Sequence, residues 1–187
     1  DDLADYGIGT ILDFSVEGQD DEESFDRGTE EILNTVDIAA QVEMVPFCVF
    51  KPTAVGSLAL WVKQSAKEGL NPEEKSAWDG CIGRMRRIFK HAADAGTPIL
   101  VDAEESWMQD AADDLVEEAM RKYNEEKAIV YTTLQMYRHD RLSYLIDLSQ
   151  IAQKEGFKIG LKIVRGAYHQ KEIERALEKG YKIPVHE

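Results

Sequence analysis

The sequence predicts an α/β protein built on a parallel sheet, a TIM-type (β/α)8 barrel of which about five β/α units are present. Five short apolar runs are each followed by a stretch whose apolar residues recur at helical spacing. Each run also ends in a polar or charged residue, as strands at a barrel rim do. No Gly-x-Gly-x-x-Gly motif follows the first run, so a dinucleotide-binding doubly wound sheet lacks its usual signal.

The predicted strands are Gly7–Val16, Val45–Phe50, Pro98–Val101, Lys127–Leu134 and Phe157–Arg165. The second is continuously apolar, which is typical of a strand covered on both faces, and Lys51-Pro52 ends it because proline cannot donate a ladder hydrogen bond. The third runs directly into Asp102-Ala103-Glu104-Glu105, so three carboxylates cluster where the strand gives way to a helix. The fifth carries Lys162 and Arg165 inside it and breaks at Gly166-Ala167.

The predicted helical segments are about Phe25–Glu43, Val55–Gly69, Pro72–Ala95, Met108–Tyr123, Tyr144–Glu155 and Tyr168–Lys179. A polar loop over residues 17–21 precedes the first of them. Asn71-Pro72 combines a cap residue with a first-turn proline, and Gly96 ends that helix. Apolar residues form one stripe on each segment and acids cover the other side, so every helix is expected to bury one face. The arginines of Arg84-Met85-Arg86-Arg87 are interpreted as part of a solvated face.

The charge balance limits the possible partners of this chain. Its 22 basic and 36 acidic residues give a formal net charge of −14, which would repel both a nucleic acid backbone and an anionic bilayer surface. Nucleic acid is therefore an unexpected partner. The amino terminus lacks the pattern of a signal peptide and no window is apolar enough for a membrane span, so an intracellular protein is expected.

The cysteines and histidines show no metal-binding pattern. Cys48 and Cys81 lie in apolar contexts and form no Cys-x-x-Cys pair, which predicts reduced thiols in the core. The four histidines have no ligand spacing with one another or with the cysteines, so no metal site is predicted.

Polar residues at the strand ends form the predicted site. They are Asp13, Lys51, Asp102, Gln135, Lys162 and Arg165, with Tyr168 just beyond. One lysine or arginine in a strand is often only a snorkelling edge residue. All five strands end in this way, however, and a parallel barrel gathers such ends on one rim. A ligand-binding or catalytic cavity is therefore predicted there.

Three segments resemble the proline dehydrogenase family, the flavin enzymes that begin proline catabolism. They are Lys162-Ile163-Val164-Arg165-Gly166-Ala167-Tyr168 followed by Glu172, Val101-Asp102-Ala103-Glu104-Glu105, and Leu134-Gln135-Met136-Tyr137. The resemblance extends from the first strand to Ile183-Pro184. It implies the TIM-type barrel and the oxidation of L-proline to 1-pyrroline-5-carboxylate by hydride transfer to FAD.

The resemblance also implies roles for individual residues. Lys51 matches the lysine that pairs with the proline carboxylate, Asp102 matches the aspartate beside it, and Tyr168 matches the tyrosine that walls the substrate pocket. The implied cofactor contacts are Gln135, Lys162, Val164 and Gly166. Lys162 replaces an arginine of some members, which keeps the charge but loses the planar fork. Where some members have tryptophan this chain has His169, to which no role is assigned.

Further expectations concern partners and location. The resemblance implies a quinone as electron acceptor, possible peripheral contact with a membrane, and either bacterial cytoplasm or mitochondria. The family continues through three more strands and a Tyr-x-x-Arg-Arg motif that clamps the substrate, so residues 1–187 are expected to form the amino-terminal and central part of one barrel domain. Five strands leave two open sheet edges, which favours self-association.

Two other functions fit the same strand ends. A class I aldolase-like barrel would use Lys51 or Lys162, beside Asp102, to form a Schiff base. A non-catalytic half-barrel would only associate with another chain. Bound flavin would indicate proline oxidation, whereas borohydride trapping with a carbonyl substrate would identify a Schiff-base enzyme. Native mass and flavin content together would identify a half-barrel.

Overall fold

The computed structural model describes residues 3–14 and 20–186, which form a parallel sheet flanked by helices. Its strands are β1 (Ile11–Phe14), β2 (Phe47–Phe50), β3 (Ile99–Val101), β4 (Val130–Gln135) and β5 (Gly160–Val164). They lie in the order β1-β2-β3-β4-β5 and every neighbouring pair is parallel. The predicted α/β class and the parallel sheet are therefore confirmed, and the strand order is sequential.

Helices connect the strands. They are α1 (Glu22–Gln41), α2 (Leu58–Ser65), α3 (Pro72–Ala95), α4 (Ser106–Tyr123), α5 (Arg141–Glu155) and α6 (His169–Lys179). Asn71 caps α3 by accepting from the Glu74 amide at 2.9 Å, and Gly96 ends it with a φ of 68°. None of the described helices is long and apolar enough to span a bilayer.

Several element boundaries differ from the predictions. The strands β4 and β5 begin three residues later than predicted, and the helices α1 and α5 begin three residues earlier. The helix predicted over 55–69 is shorter, because Pro52–Ala54 forms a 3-10 turn and Ser57 caps α2 one turn later. The first strand begins only at Ile11. The end of that predicted strand at Ser15 and Val16, and most of the polar loop after it, lie outside the described residues.

The core lies between the sheet and the helices α1 to α5. Alternate residues of the strands face this layer, among them Cys48, Phe50, Ile99 and Val101, which are at most 2% exposed. The apolar stripes of the helices pack against them, with fully buried side chains such as Met85 in α3. Burying each large apolar side chain contributes about 1.5–3 kcal/mol.

The two cysteines are free thiols in this core, as predicted. Cys48 lies in β2 and Cys81 in α3, and both are fully buried. Burial in apolar surroundings raises the pKa of the Cys48 thiol to about 11 and that of Cys81 to about 12, because the thiolate loses its hydration. Neither side chain is a nucleophile in the folded state.

Asn124 organises the amino-terminal end of the sheet. Its side chain is fully buried and accepts from the Ile129 and Val130 amides, both at 2.9 Å. The same amide group donates to the carbonyls of Val130 at 2.8 Å and Lys158 at 3.0 Å. Four hydrogen bonds from one side chain thus hold the segments that enter β4 and β5.

The last helix does not lie where a regular β/α unit would place it. Instead of covering β5, α6 contacts the start of α4, where Arg175 stacks on Trp107 with its guanidinium carbon 4.4 Å from the ring centroid. The outward-facing Ile163 of β5 is 63% exposed as a result. The predicted helix follows β5, so the fifth predicted β/α unit is present, and its helix contacts α4.

Arg84 also differs from its predicted setting. It is 8% exposed rather than solvated, and its guanidinium is paired with Glu22 and with Asp26 of α1. It also donates to the Val55 carbonyl at 3.2 Å. The stripe pattern missed this because the acids that draw Arg84 inward come from another helix. Arg86 and Arg87 of the same segment are exposed, as predicted.

Candidate active site

Four side chains on adjacent strands form one row across the face of the sheet that points away from the helices, which we call the inner face. The strand register pairs Thr133 with Lys162, and one residue beyond the paired segments it brings Asp102 beside Thr133 and Lys51 beside Asp102. The Asp102 amide continues the ladder by donating to the Phe50 carbonyl at 2.9 Å. Because alternate strand residues share a face, all four side chains point inward. The row reads cation, anion, hydroxyl, cation.

A cavity of about 420 Å³ opens above this row. The seven residues predicted to form the site all line it: Lys51, Asp102, Gln135, Lys162, Val164, Gly166 and Tyr168. Its volume lies within the range of about 300–1,000 Å³ that is usual for small-molecule sites. The structure therefore brings together residues that are more than 100 positions apart in sequence.

The cavity is positive although the chain is acidic. Lys51, Lys162 and Arg165 contribute three positive charges and Asp102 one negative charge, which leaves +2 in a chain of net charge −14. Lys162 donates to Asp102 in a charge-assisted hydrogen bond between strands that are not neighbours. A local positive field of this kind attracts an anionic ligand to one place on a negative surface.

The loop that begins at Lys51 is fixed by side chains from three directions. Trp61 donates its indole N–H to the Pro52 carbonyl at 3.2 Å, and Arg84 holds the Val55 carbonyl. Glu104 accepts from the Thr53 amide at 3.0 Å and from its hydroxyl at 2.8 Å. These contacts fix the backbone that follows Lys51, from which its side chain extends to the cavity.

Glu104 belongs to the carboxylate cluster after β3, and the sequence predicted no specific position for its side chain. It is 6% exposed, and burial raises its pKa, an effect that the hydrogen bonds from Thr53 and the charge of Lys51 oppose. Glu104 lies behind the cavity rather than in its wall. It serves the site by holding the loop after β2.

Gln135 connects the loops on either side of β4. Its amide N–H donates to the Glu104 carbonyl at 2.6 Å, and its carbonyl accepts from the Ala167 amide at 3.1 Å. The side chain is 2% exposed. These bonds use one of its two N–H groups, so the other is the donor that a ligand could meet. The predicted contact with a flavin stays a prediction.

Tyr137 sets the shape of the loop after β5. Gly166 has a φ of 134°, and a Cβ there would lie 2.6 Å from Cδ1 of the Tyr137 ring and nearer still to Cε1. Only glycine fits such a position. The Tyr137 hydroxyl also accepts from the Tyr168 amide at 3.3 Å. The sequence does not reveal this role of Tyr137, because the contact is made between separate loops.

Two other strand-end residues have different surroundings. Asp13 pairs in register with Val49, one row below Lys51, and is not among the residues that line the cavity. Arg165 lines it and also borders an adjoining cavity of about 730 Å³ beside β5, with His169 and His186. The adjoining cavity is larger, but the row of charged side chains belongs to the smaller one.

The comparisons with known proteins agree with this architecture. The chain is similar to proline utilization A (PutA) from Bdellovibrio bacteriovorus, with a TM-score of 0.80, 20% identity and coverage of 98% of this chain and 20% of that one. PutA from Corynebacterium freiburgense gives a TM-score of 0.78, 17% identity and coverage of 99% and 18%. These matches establish the TIM-barrel type of fold, of which the described sheet is an open five-stranded part.

Sequence relatives extend the comparison. The carbapenem antibiotics biosynthesis protein CarD from Pectobacterium carotovorum is 39% identical over 170 residues, which are 91% of this chain and 45% of that protein. The mitochondrial proline dehydrogenase 1 of Drosophila melanogaster is 42% identical over 115 residues, 61% of this chain and 17% of the relative. The chain thus spans less than half the length of these relatives. A family model described as proline dehydrogenase matches residues 1–187. The chain belongs, over its whole length, to the proline dehydrogenase family.

Proposed function

We propose that this chain supplies the proline- and flavin-binding part of an enzyme that oxidises L-proline to 1-pyrroline-5-carboxylate, the first step of proline degradation. The observation that carries the proposal is the inward-facing row of Lys51, Asp102, Thr133 and Lys162 beneath a positive cavity, in a chain of the proline dehydrogenase family. Two separate cations suit a substrate with a carboxylate and a cofactor that gains negative charge.

The cavity residues fit the ring end of FAD. Lys162 and Arg165 offer positive charge, Gln135 retains one N–H donor, and the backbone at Gly166 leaves the rim free of a side chain. When bound, FAD would accept the hydride, which natural side chains cannot do. Arg165 also borders the larger cavity beside β5.

The chain's own side chains have separate tasks in this mechanism. Lys51 would bind the proline carboxylate and fix the ring of the substrate relative to the inner face of the sheet. Tyr168 would wall the pocket and exclude water from the substrate. Asp102 would hold the Lys162 ammonium in place, so that positive charge stands where the ring becomes negative. The roles of all these residues rest on the resemblance and on their shared cavity.

The Schiff-base alternative fits the geometry less well. An aldolase-type lysine must lose its proton to attack a carbonyl, and such lysines are activated by desolvation or by a neighbouring cation. Lys162 instead has a carboxylate, that of Asp102, as its ion-pair partner, whereas a neighbouring cation is what activates such lysines.

A visible spectrum tests the proposal. Purified protein in which this chain is joined to the rest of the family's barrel should absorb between about 350 and 500 nm as a flavoprotein, and L-proline added without oxygen should bleach that absorbance. D-proline at the same concentration is the control, because the fixed row of cations should select one orientation of the carboxylate. A protein that binds added FAD but is not bleached by L-proline would contradict the proposed reaction. The proposal extends, on the resemblance alone, to a quinone acceptor met at a membrane surface.

A further inference from the structure

Glu172 is fully buried and caps a helix to which it does not belong. Its carboxylate accepts from the Ser106 amide at 2.7 Å and from the Ser106 hydroxyl at 2.6 Å. Ser106 is the first residue of α4, and Glu105, which precedes it, makes no side-chain cap hydrogen bond. Free amides and a positive dipole at a helix start favour a negative side chain. Glu172 of α6 therefore provides the cap that the chain around Ser106 lacks.

The position of α6 depends on this contact. With 11 residues the helix is too short to be stable in isolation, so tertiary contacts must hold it. Besides the Glu172 carboxylate, Lys171 pairs with Glu105 at 3.1 Å and Arg175 lies over Trp107. Lys171 is largely exposed, which weakens its pair. The buried carboxylate is the contact that water screens least.

The same contact joins two stretches that line the candidate active site. Asp102 lies four residues before Ser106, and Tyr168 lies four residues before Glu172, whose amide donates to the Tyr168 carbonyl at 3.0 Å. Both Asp102 and Tyr168 line the cavity. Gln135 bridges the same two loops from below. The Glu172 carboxylate thus connects the loop after β3 to the loop after β5, and both loops line the cavity.

We propose that Glu172 is a positioning residue for the substrate pocket: by capping α4 from α6, it holds Tyr168 at a set distance from Asp102. The inference rests on the proposed function, because it assigns to Tyr168 a wall of the proline site. It adds that the wall is placed by a carboxylate that touches neither the substrate nor the flavin.

Three variants separate positioning from general stability. Glu172→Ala removes both acceptors. Glu172→Gln keeps the geometry, because its carbonyl can accept from the Ser106 amide while its N–H donates to the Ser106 hydroxyl. Glu174→Ala is the matched control, since Glu174 lies on the same helix but is exposed and accepts a hydrogen bond from Gln170 of that helix. If Glu172→Ala fails to fold, Ser106→Ala, which removes one of the two bonds, replaces it.

The first measurement needs no ligand. Amide hydrogen exchange should rise about tenfold in Glu172→Ala, and together in residues 103–107 and 165–172, because each loop loses its anchor. Glu172→Gln and Glu174→Ala should stay within about twofold of the unaltered protein. A rise confined to α6 in Glu172→Ala would show that the two loops are not coupled, and would overturn the inference.

The second measurement is the dissociation constant of a five-membered-ring carboxylate that resembles proline but cannot be oxidised. Glu172→Ala should weaken it about tenfold alone but less than twofold when Tyr168 is already alanine, because both changes remove the same wall. Equal losses in the two backgrounds would overturn the positioning role. Failure of the unaltered protein to bind the analogue would instead overturn the proposed function, and the claim about the substrate wall with it.

Discussion

Lys51 follows β2 directly and reaches the cavity from a loop that three other side chains hold. We expect Lys51→Met to weaken binding of a carboxylate-bearing proline analogue by about 2–4 kcal/mol, since a charge-assisted contact is lost at a partly desolvated rim. Flavin binding should change far less. Titration of both ligands measures this, and Lys63→Met is the control, because Lys63 pairs with Glu74 away from the cavity. An unchanged dissociation constant for the analogue would remove Lys51 from the site.

Asp102 is paired with Lys162 and is expected to orient it rather than to abstract a proton. Asp102→Asn should lower turnover about tenfold, because the amide no longer attracts the lysine charge. The pH optimum should move by less than about half a unit. The full pH profile of proline-dependent dye reduction gives the answer. Loss of one limb of the profile in the variant would mean that Asp102 is a general base instead.

The residues of the site differ in how well their positions and roles can be predicted from the sequence. Lys51, Asp102 and Lys162 could be predicted because they interrupt apolar strands, and strand periodicity alone places them on one rim. Tyr137 and Glu172 could not be assigned a role, because their functions depend on contacts between loops that no periodic pattern encodes. The register that puts Asp13 one row lower was equally hidden.

At the scale of elements, a buried ion pair joins α4 to the start of α5. Asp113 is 4% exposed and accepts from Arg141 at 2.7 Å and from Gln109 at 2.9 Å. Burial raises the pKa of Asp113 to about 6, because the loss of hydration exceeds the attraction of Arg141. The folded protein therefore holds a proton on this carboxyl at a pH where the unfolded chain has released it.

The sign of the resulting pH dependence follows from linkage. Between about pH 4 and pH 6 the folded state binds more protons at Asp113 than the unfolded state does, so this group makes stability fall as pH rises. Relative to Asp113→Asn, the unaltered protein should lose roughly 1–3 kcal/mol of unfolding free energy across that range. Urea denaturation at several pH values measures the difference. Asp147→Asn, at an exposed position of α5, should show no such slope, and a flat difference for Asp113 would contradict its raised pKa.

Helices were easier to predict than their placement. The cap at Asn71 and the stop at Gly96 define α3 almost to the residue. The sequence pattern of α6 is just as clear, yet it does not reveal that the helix lies on α4 instead of β5. Periodicity shows which face a helix buries but not which neighbour covers it, and here a single buried carboxylate, Glu172, helps to decide the neighbour.

For the molecule as a whole, the outer strands β1 and β5 are the edges of the described sheet. Ile163 of β5 is 63% exposed, so an apolar side chain stands beside open backbone groups. We expect the 187-residue chain to self-associate through this edge, and Ile163→Lys to weaken the association about tenfold or more by placing a charge on it. Sedimentation at several concentrations would detect this. Leu177→Lys, at a position on α6 that is 71% exposed, is the control, and a strictly monomeric unaltered chain would refute the expectation.

The overall architecture could be predicted because each β/α unit has its own local sequence pattern, an apolar run followed by apolar residues at helical spacing. Continuous apolar runs separated by helices require a parallel sheet, and sequential order is the simplest arrangement that short connections permit. The degree of curvature could not be predicted, since it depends on the stagger between strands and on contacts such as those of Gly160, where a Cβ would lie 2.6 Å from the Tyr131 ring.

Because both thiols are buried, their reactivity can report local opening of the native protein. The side chain of Cys48 in β2 faces α1, where its thiol donates to the Thr35 carbonyl at 3.2 Å. Cys81 packs against Gly56 in the loop that begins at Lys51. A thiol reagent can therefore react only when one of these two places opens, so labelling rates at Cys48 and Cys81 separate opening of the sheet from movement of the Lys51 loop. Ligands that close the cavity should slow labelling at Cys81 and leave Cys48 almost unchanged.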